Sequence, residues 1–228
     1  MKTKMLGLML CMFLGWNVHA AEGDKLNLTL DKNLLEAGKL QSFVHEYKVE
    51  GQGKKKRVVG VLLINASPDT VWQVLVNWDS MGEFISSLDY YRTIQVLTPL
   101  GKGLAGRSLI EGKLSFSLFS VQYTLDVIFD EPDKLQQWRM LTDDEVVNYN
   151  KKGIAVKRSS GGLKNIEGFE YIEPYDNGAK TIYYYAPVVE TSVPLPGFVE
   201  RSISKSTLGD YMEAIKARAE EFAKDAPE

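Results

Sequence analysis

The sequence predicts an α+β domain, with an antiparallel sheet, two short helices after its first strands and one long C-terminal helix. Three observations carry that prediction. Apolar alternation of period two recurs in segments grouped together between helical stretches instead of alternating with them, which favours an antiparallel sheet covered by helices. A β-branched run, Val58 to Ile64, leads directly to Ser67-Pro68, where serine suits an N-cap and proline the first helical position. The last apolar stripe, Leu208, Met212, Ile215, Ala219 and Phe222, has helical spacing within Phe198 to Ala223. At 1.5 Å per residue that helix is about 35–40 Å long, enough to cross a whole sheet.

The chain of 228 residues begins with Lys2 and Lys4, an apolar run from Met5 to Trp16, and Val18-His19-Ala20. This is the pattern of a secretory leader cleaved after Ala20, and the apolar run is too short to span a bilayer. Leu10 is too large for the position before Cys11 in a lipoprotein signal. The expected organisation is a leader over 1–20, a lead-in over 21–39 and one domain over 40–224, located in a periplasm or secreted. Losing 1–20 removes Lys2 and Lys4, so 27 basic residues become 25 against 30 acidic ones, a net charge of −5. The sole cysteine goes too, and His45 is the histidine left, so no disulfide framework supports the mature chain. About 200 residues can bury about 70% of their unfolded surface, which suffices for one core.

An acidic balance argues against nucleic acid as a partner. The one basic run, Lys54-Lys55-Lys56-Arg57, reads as a solvated turn or strand edge, with attraction to an anionic membrane surface as the second reading.

In chain order, Ala21 to Lys39 carries Leu26, Leu28, Leu30, Leu34 and Leu35 and reads as either a mobile lead-in or a short helix. Leu40 to Glu50 and Lys56 to Ile64 form a strand pair around Gly51-Gln52-Gly53. A helix after Ser67 presents Val71, Trp72, Leu75 and Val76. Trp78-Asp79-Ser80 breaks it, and Met81 to Leu88 reads as the second short helix. Strands follow at Tyr91 to Leu97, Gly103 to Lys113, Leu114 to Asp130 and Leu135 to Leu141. Asp143 to Gly162 fits a small hairpin turning at Asn150-Lys151-Lys152-Gly153 or a mobile flap. Leu163 to Glu173 and Thr181 to Thr191 form a hairpin closed at Tyr175-Asp176-Asn177-Gly178, where Asn-Gly supplies positive φ. Val193-Pro194-Leu195-Pro196-Gly197 ends strand structure, and Pro194, Pro196 and Gly197 suit a hinge for the last helix.

The residue inventory excludes several chemistries. Without cysteine, and with only His45, the mature chain has no thiolate or histidine-rich metal site and no Ser–His–Asp triad in a G-x-S-x-G elbow. Gly101-Lys102-Gly103-Leu104-Ala105-Gly106 matches G-x-G-x-x-G, but Arg107-Ser108-Leu109-Ile110 continues as a strand where a dinucleotide site needs a helix. The loop is therefore read as a hairpin turn. Asp126 with Asp130, and Asp143-Asp144-Glu145, are read as surface charge. No cofactor or metal is implied.

The strand over Val58–Ile64, the Ser67-Pro68-Asp69-Thr70-Val71-Trp72 turn into helix, and Trp78-Asp79 followed by Phe84 resemble the START-related superfamily. Within it they are most similar to polyketide-cyclase/dehydrase-like and coenzyme-Q-binding-like members. The resemblance covers Leu40 to the C-terminus. It implies a helix-grip fold, a curved antiparallel sheet wrapped around the long C-terminal helix with an apolar tunnel between them.

Aromatic residues fall on the elements that would enclose such an interior: Trp72, Trp78, Phe84, Tyr123, Trp138, Phe169, Tyr183, Tyr184 and Tyr185. Core packing explains each singly, whereas as a set they suit the wall of a cavity for an apolar ligand. The expected ligand-binding residues are Trp72, Trp78, Phe84, Tyr123, Trp138, Tyr184, Gly209 and Met212, with Gly209 letting the helix backbone approach the ligand. The leading expectation is an exported, monomeric carrier of a lipid-like or other hydrophobic small molecule. The rivals are a cyclase or hydratase using Tyr123, Arg139 and Tyr184, and a ligand-free envelope interaction module docking through Asp143 to Gly162.

Overall fold

The computed structural model describes residues 26–49, 51, 53–116, 119–192 and 197–225. The leader and its cleavage site, and Pro194 and Pro196 of the hinge, lie outside the described residues. Eight strands form one antiparallel sheet: β1 (Gln41–Val49), β2 (Gly53–Ile64), β3 (Leu88–Thr98), β4 (Ala105–Phe116), β5 (Phe119–Asp130), β6 (Leu135–Met140), β7 (Leu163–Tyr175) and β8 (Lys180–Thr191). Their spatial order is β1-β2-β8-β7-β6-β5-β4-β3. The sheet curves around α4 (Gly197–Asp225), the helix-grip arrangement, and α4 is about 43 Å long at 1.5 Å per residue.

Alternation along the strands sends side chains to two faces, and both are covered. On the concave face Leu62, Ile64, Val127, Trp138 and Tyr183 share a core with Leu208, Met212, Ile215 and Ala219 of α4. The stripe read from the sequence holds except at its end, because Phe222 is part exposed and lies under the Arg218 guanidinium, 4.5 Å from its ring centroid. On the convex face Val59, Val61, Leu63, Tyr171, Tyr184 and Ala186 pack beneath Leu26, Leu28, Leu30 and Leu35. The lead-in is thus extended chain followed by a short helix, α1 (Lys32–Glu36), whose first N–H groups bond the Asp31 carboxylate. It packs onto the same body as the strands.

The turn into α2 (Pro68–Val76) follows the sequence: the Ser67 hydroxyl accepts from Thr70 N–H, and Pro68 opens the helix. The second short helix runs over Trp78–Glu83, a 3-10 turn, and not over Met81 to Leu88. The Asp79 carboxylate fixes it by accepting from both Thr93 N–H and its hydroxyl at 2.7 Å, while Leu88 already belongs to β3. The division between the next two strands falls after Phe116, so residues 114–116 continue β4. Gly101 and Leu104 bridge in a tight turn, as the strand reading of that glycine motif required.

Asp143 to Gly162 is neither hairpin nor flap in its first half. It forms α3 (Asp143–Lys151), started by a capping box between Thr142 and Glu145. The acidic triplet is therefore a helix N-terminus, where negative charge faces the free N–H groups. Glu145 also pairs with Arg139, at 2.5 Å, and Arg139 with Asp126, which Arg107 grips at 2.7 and 2.8 Å. Asp126 is consequently buried under α3 and is not surface charge.

Two substitutions test these assignments. A Cβ on Gly209 would meet only Leu40 Cδ2, at 3.5 Å, so nothing here requires glycine. Gly209→Ala should raise stability by about 0.5–1 kcal/mol in urea unfolding. Thr142→Ala should lower it by about 1 kcal/mol and weaken protection of α3 amides from hydrogen exchange.

Candidate functional site: a cavity between sheet and helix

The concave face is wider than α4 can fill. The helix packs on α2 and β2, with Met212 and Leu208 against Gly60, and the sheet curves away from it toward β3 and β4. Between them lies a cavity of about 570 Å³. Its wall is largely apolar: Ile85, Leu88, Leu114, Val121, Leu163 and Ile166 contribute, with aromatic panels from Trp78, Tyr91, Tyr123, Trp138, Tyr185 and Tyr211.

The panels are ordered by contact with one another. Trp138 stacks on Tyr185 at 5.7 Å between centroids, and Tyr185 stacks on Tyr211 of α4 at 4.5 Å. Trp78 lies 4.6 Å from Tyr91 and 6.1 Å, edge on, from Trp138. Two glycines make room for this lining. A Cβ on Gly168 would come within 2.7 Å of Trp138 and 2.8 Å of a backbone carbonyl, and one on Gly112 within 2.6 Å of Tyr91.

Charged groups of the wall, Lys56, Arg57 and Glu190, lie at the end formed by β2 and β8, and among the aromatic panels polar groups are few. The Tyr91 and Tyr123 hydroxyls bond each other at 3.2 Å. Burial pushes Tyr91 up to about 12 and raises Tyr123 well above its ordinary value, so both stay neutral donors across the physiological range. Behind the panels runs a buried polar chain. Trp78 Nε1 donates to Gln136 Oε1 at 2.9 Å, and Gln136 Nε2 donates to the Leu75 carbonyl at 3.1 Å and to Glu170. Glu170, fully buried, also bonds the Tyr183 hydroxyl. No cation among the described residues touches it, and burial raises its carboxyl to about 8. At neutral pH Glu170 is an uncharged acid that pins Gln136, and through it the Trp78 panel.

Of the residues expected from the sequence, Trp78, Tyr123 and Trp138 meet in the cavity wall. The other expected positions lie elsewhere. Trp72 is in the core between α2 and the sheet with Lys134 over its ring, Phe84 sits beside Arg218, and Met212 is packed against Gly60. Gly209 adjoins Leu40. Tyr184 points to the convex face, stacked on Tyr171 and bonded to Glu173, because its neighbours Tyr183 and Tyr185 take the concave side. Arg139 is convex as well, so the Tyr123–Arg139–Tyr184 catalytic trio is not assembled. The sequence reading did not single out Tyr91, Gln136, Glu170 or Tyr211 for the site. Tyr185 belongs to the aromatic set of the sequence but not to the expected ligand-binding residues. A signal for Glu170 was present, since Tyr183 and Tyr185 one strand away share its face.

Among the described residues no cluster of His, Cys, Asp and Glu could hold a metal, and no helix is long and apolar enough to cross a membrane.

No protein-family model and no curated protein sequence matches the chain. Solved structures do match its fold. A STAR-related lipid transfer protein from Xanthomonas axonopodis aligns with TM-score 0.55 and 11% identity over 79% of this chain and 93% of that one. A START superfamily protein from Mycobacterium smegmatis aligns with TM-score 0.54 and 13% identity over 73% and 98%. The Zhui aromatase/cyclase from a Streptomyces species aligns with TM-score 0.53 and 11% identity over 79% and 94%. The fold is therefore START-related.

The state of Glu170 sets a pH dependence. Its folded value lies above the unfolded one, so the folded protein binds more protons between about 4.5 and about 8. The resulting cost is absent below about 4.5, grows through that interval and is complete above about 8. Stability should fall by a few kcal/mol as pH rises across it, and Glu170→Gln should flatten the profile, as denaturant titrations at successive pH values would show.

Proposed function

We propose that this protein is an exported, monomeric carrier that holds a hydrophobic small molecule between the curved sheet and α4. The observation that carries the reading is the aromatic-walled cavity of about 570 Å³, which the described side chains line without filling. Its fold is shared with a lipid transfer protein and other START-related structures, which supports burial of an apolar ligand at this place in the architecture.

Size narrows the class. A cavity of about 570 Å³ accommodates a single acyl or isoprenoid chain or a few fused rings. The Tyr91–Tyr123 hydroxyl pair offers a hydrogen bond to one polar atom in the aromatic part of the cavity. Burying about 300–400 Å² of ligand contributes ~8–10 kcal/mol at about 25 cal/mol/Å². Association costs of several kcal/mol leave micromolar affinity, suited to a carrier that must also release. The leader pattern over 1–20 supports export, and the acidic balance of the mature chain supports a partner other than nucleic acid.

Trp78 and Trp138 in the wall make the reading measurable. A brominated single-chain fatty acid should quench tryptophan fluorescence saturably at one equivalent. Val121→Phe together with Ile166→Phe, which fill the same space, should weaken binding by at least about tenfold while thermal unfolding remains cooperative. Saturable binding that survives the filled cavity would place the ligand elsewhere and overturn the proposal.

A further inference from the structure

The sheet is not laced along its whole length between β2 and β8. Their ladder pairs only Gly60 to Ile64 with Tyr185 to Thr181. The hairpins on either side continue past that point: β1 and β2 pair out to Val49 and Gly53, and β7 and β8 pair out to Leu163 and Thr191. Beyond Gly60 and Tyr185 the two hairpins therefore separate, and among the described residues no strand lies between them. Extending the register would set Val58 against Pro187, which has no N–H to give to a ladder.

This gap opens from the cavity. Lys56, Arg57 and Val58 of β2 and Pro187 to Thr191 of β8 all belong to the cavity wall. On the convex side, long cationic side chains cross it. Lys55 Nζ lies 3.2 Å from Glu190 Oε1, with both side chains partly exposed at 32% and 45%. The Arg57 guanidinium sits 3.6 Å from the Tyr47 ring centroid on β1 and 5.0 Å from that of Phe169 on β7, so it passes across β8. Arg57 Nε is buried without a hydrogen-bond partner. What closes the sheet here is a pair of swinging side chains, where elsewhere it is main-chain hydrogen bonding. Side-chain rotation takes nanoseconds, whereas separating a paired ladder requires breaking several bonds together.

We propose that the gap between β2 and β8 is a side portal through which a single-chain apolar ligand enters and leaves the cavity, latched by the Lys55–Glu190 pair and by Arg57 lying across Phe169. The proposal rests on the ligand-binding reading above and adds the route. A portal predicts that association and dissociation rates move together, most cleanly for a change at Lys55, the latch residue outside the cavity lining.

The test uses dansyl undecanoate as the probe, with association and dissociation rates from stopped-flow fluorescence and affinity from equilibrium titration. Lys55→Glu should speed both rates by about two- to fivefold, the scale of one exposed ion pair, with affinity unchanged, and adding Glu190→Lys should restore them. In the chain from Ala21, which carries no cysteine, Lys55→Cys with Glu190→Cys joined by a short bismaleimide should slow both rates at least tenfold relative to the same protein left unjoined. A joined protein that exchanges the probe at the wild-type rate would overturn the portal while leaving the carrier reading intact. Failure of the wild-type protein to bind the probe would remove the carrier reading, and the portal with it.

Discussion

The architecture depends on one mismatch of dimensions, a single helix laid against a concave surface too broad for it. Along β2 and α2 the fit is close, and Leu208, Met212, Ile215 and Ala219 share the core there with Leu62 and Ile64. Toward β3 and β4 the sheet curves beyond the reach of that stripe, and among the described residues only the short helical turn over Trp78–Glu83 packs against β3 there. Close-packed interiors rarely leave room for more than a water molecule, so a space of about 570 Å³ bounded by stacked rings is a design feature of the fold.

Holding such a space open requires rigid walls, since flexible side chains would collapse into it. Rings supply the stiffness, with few rotatable bonds and large contact areas. Each panel is held from a second direction: Trp138 by the bare backbone at Gly168, Tyr185 by Tyr211, and Trp78 by Gln136. Glu170 is the far anchor of the last of these. A buried carboxyl without a cation is unfavourable when ionised, and here it is tolerated because the acid keeps its proton and completes a hydrogen-bonded chain. Part of the fold's stability is thereby exchanged for a fixed wall.

The convex face follows the opposite logic. It carries its own core beneath the lead-in and α1 at one end and beneath α3 at the other. The Arg107–Asp126–Arg139–Glu145 network fastens α3, and Glu111, bonded by Tyr90 and Gln122 and paired with Arg92, anchors the neighbouring strands. With charge clusters consigned to this side, the concave face is left for aromatic side chains and the sparse hydroxyls of Tyr91 and Tyr123.

The sequence by itself determined the α+β class, the long last helix with its stripe, the Ser67-Pro68 helix start and the Asn177-Gly178 turn, because each is a local pattern of capping, periodicity or forced φ. It also determined that aromatic residues would gather on the enclosing elements. Only the tertiary structure decided which of them face the cavity. Period two says that Tyr183 and Tyr185 oppose Tyr184, but not which face is the hollow one, and with both faces buried hydrophobicity no longer marks the inside. For the same reason Glu170, flanked by Phe169 and Tyr171, reads locally as an outward residue, although it is fully buried beside the cavity. The curvature that separates sheet from helix, and the early end of the β2–β8 ladder, arise from register between strands over a hundred residues apart, which no local pattern encodes.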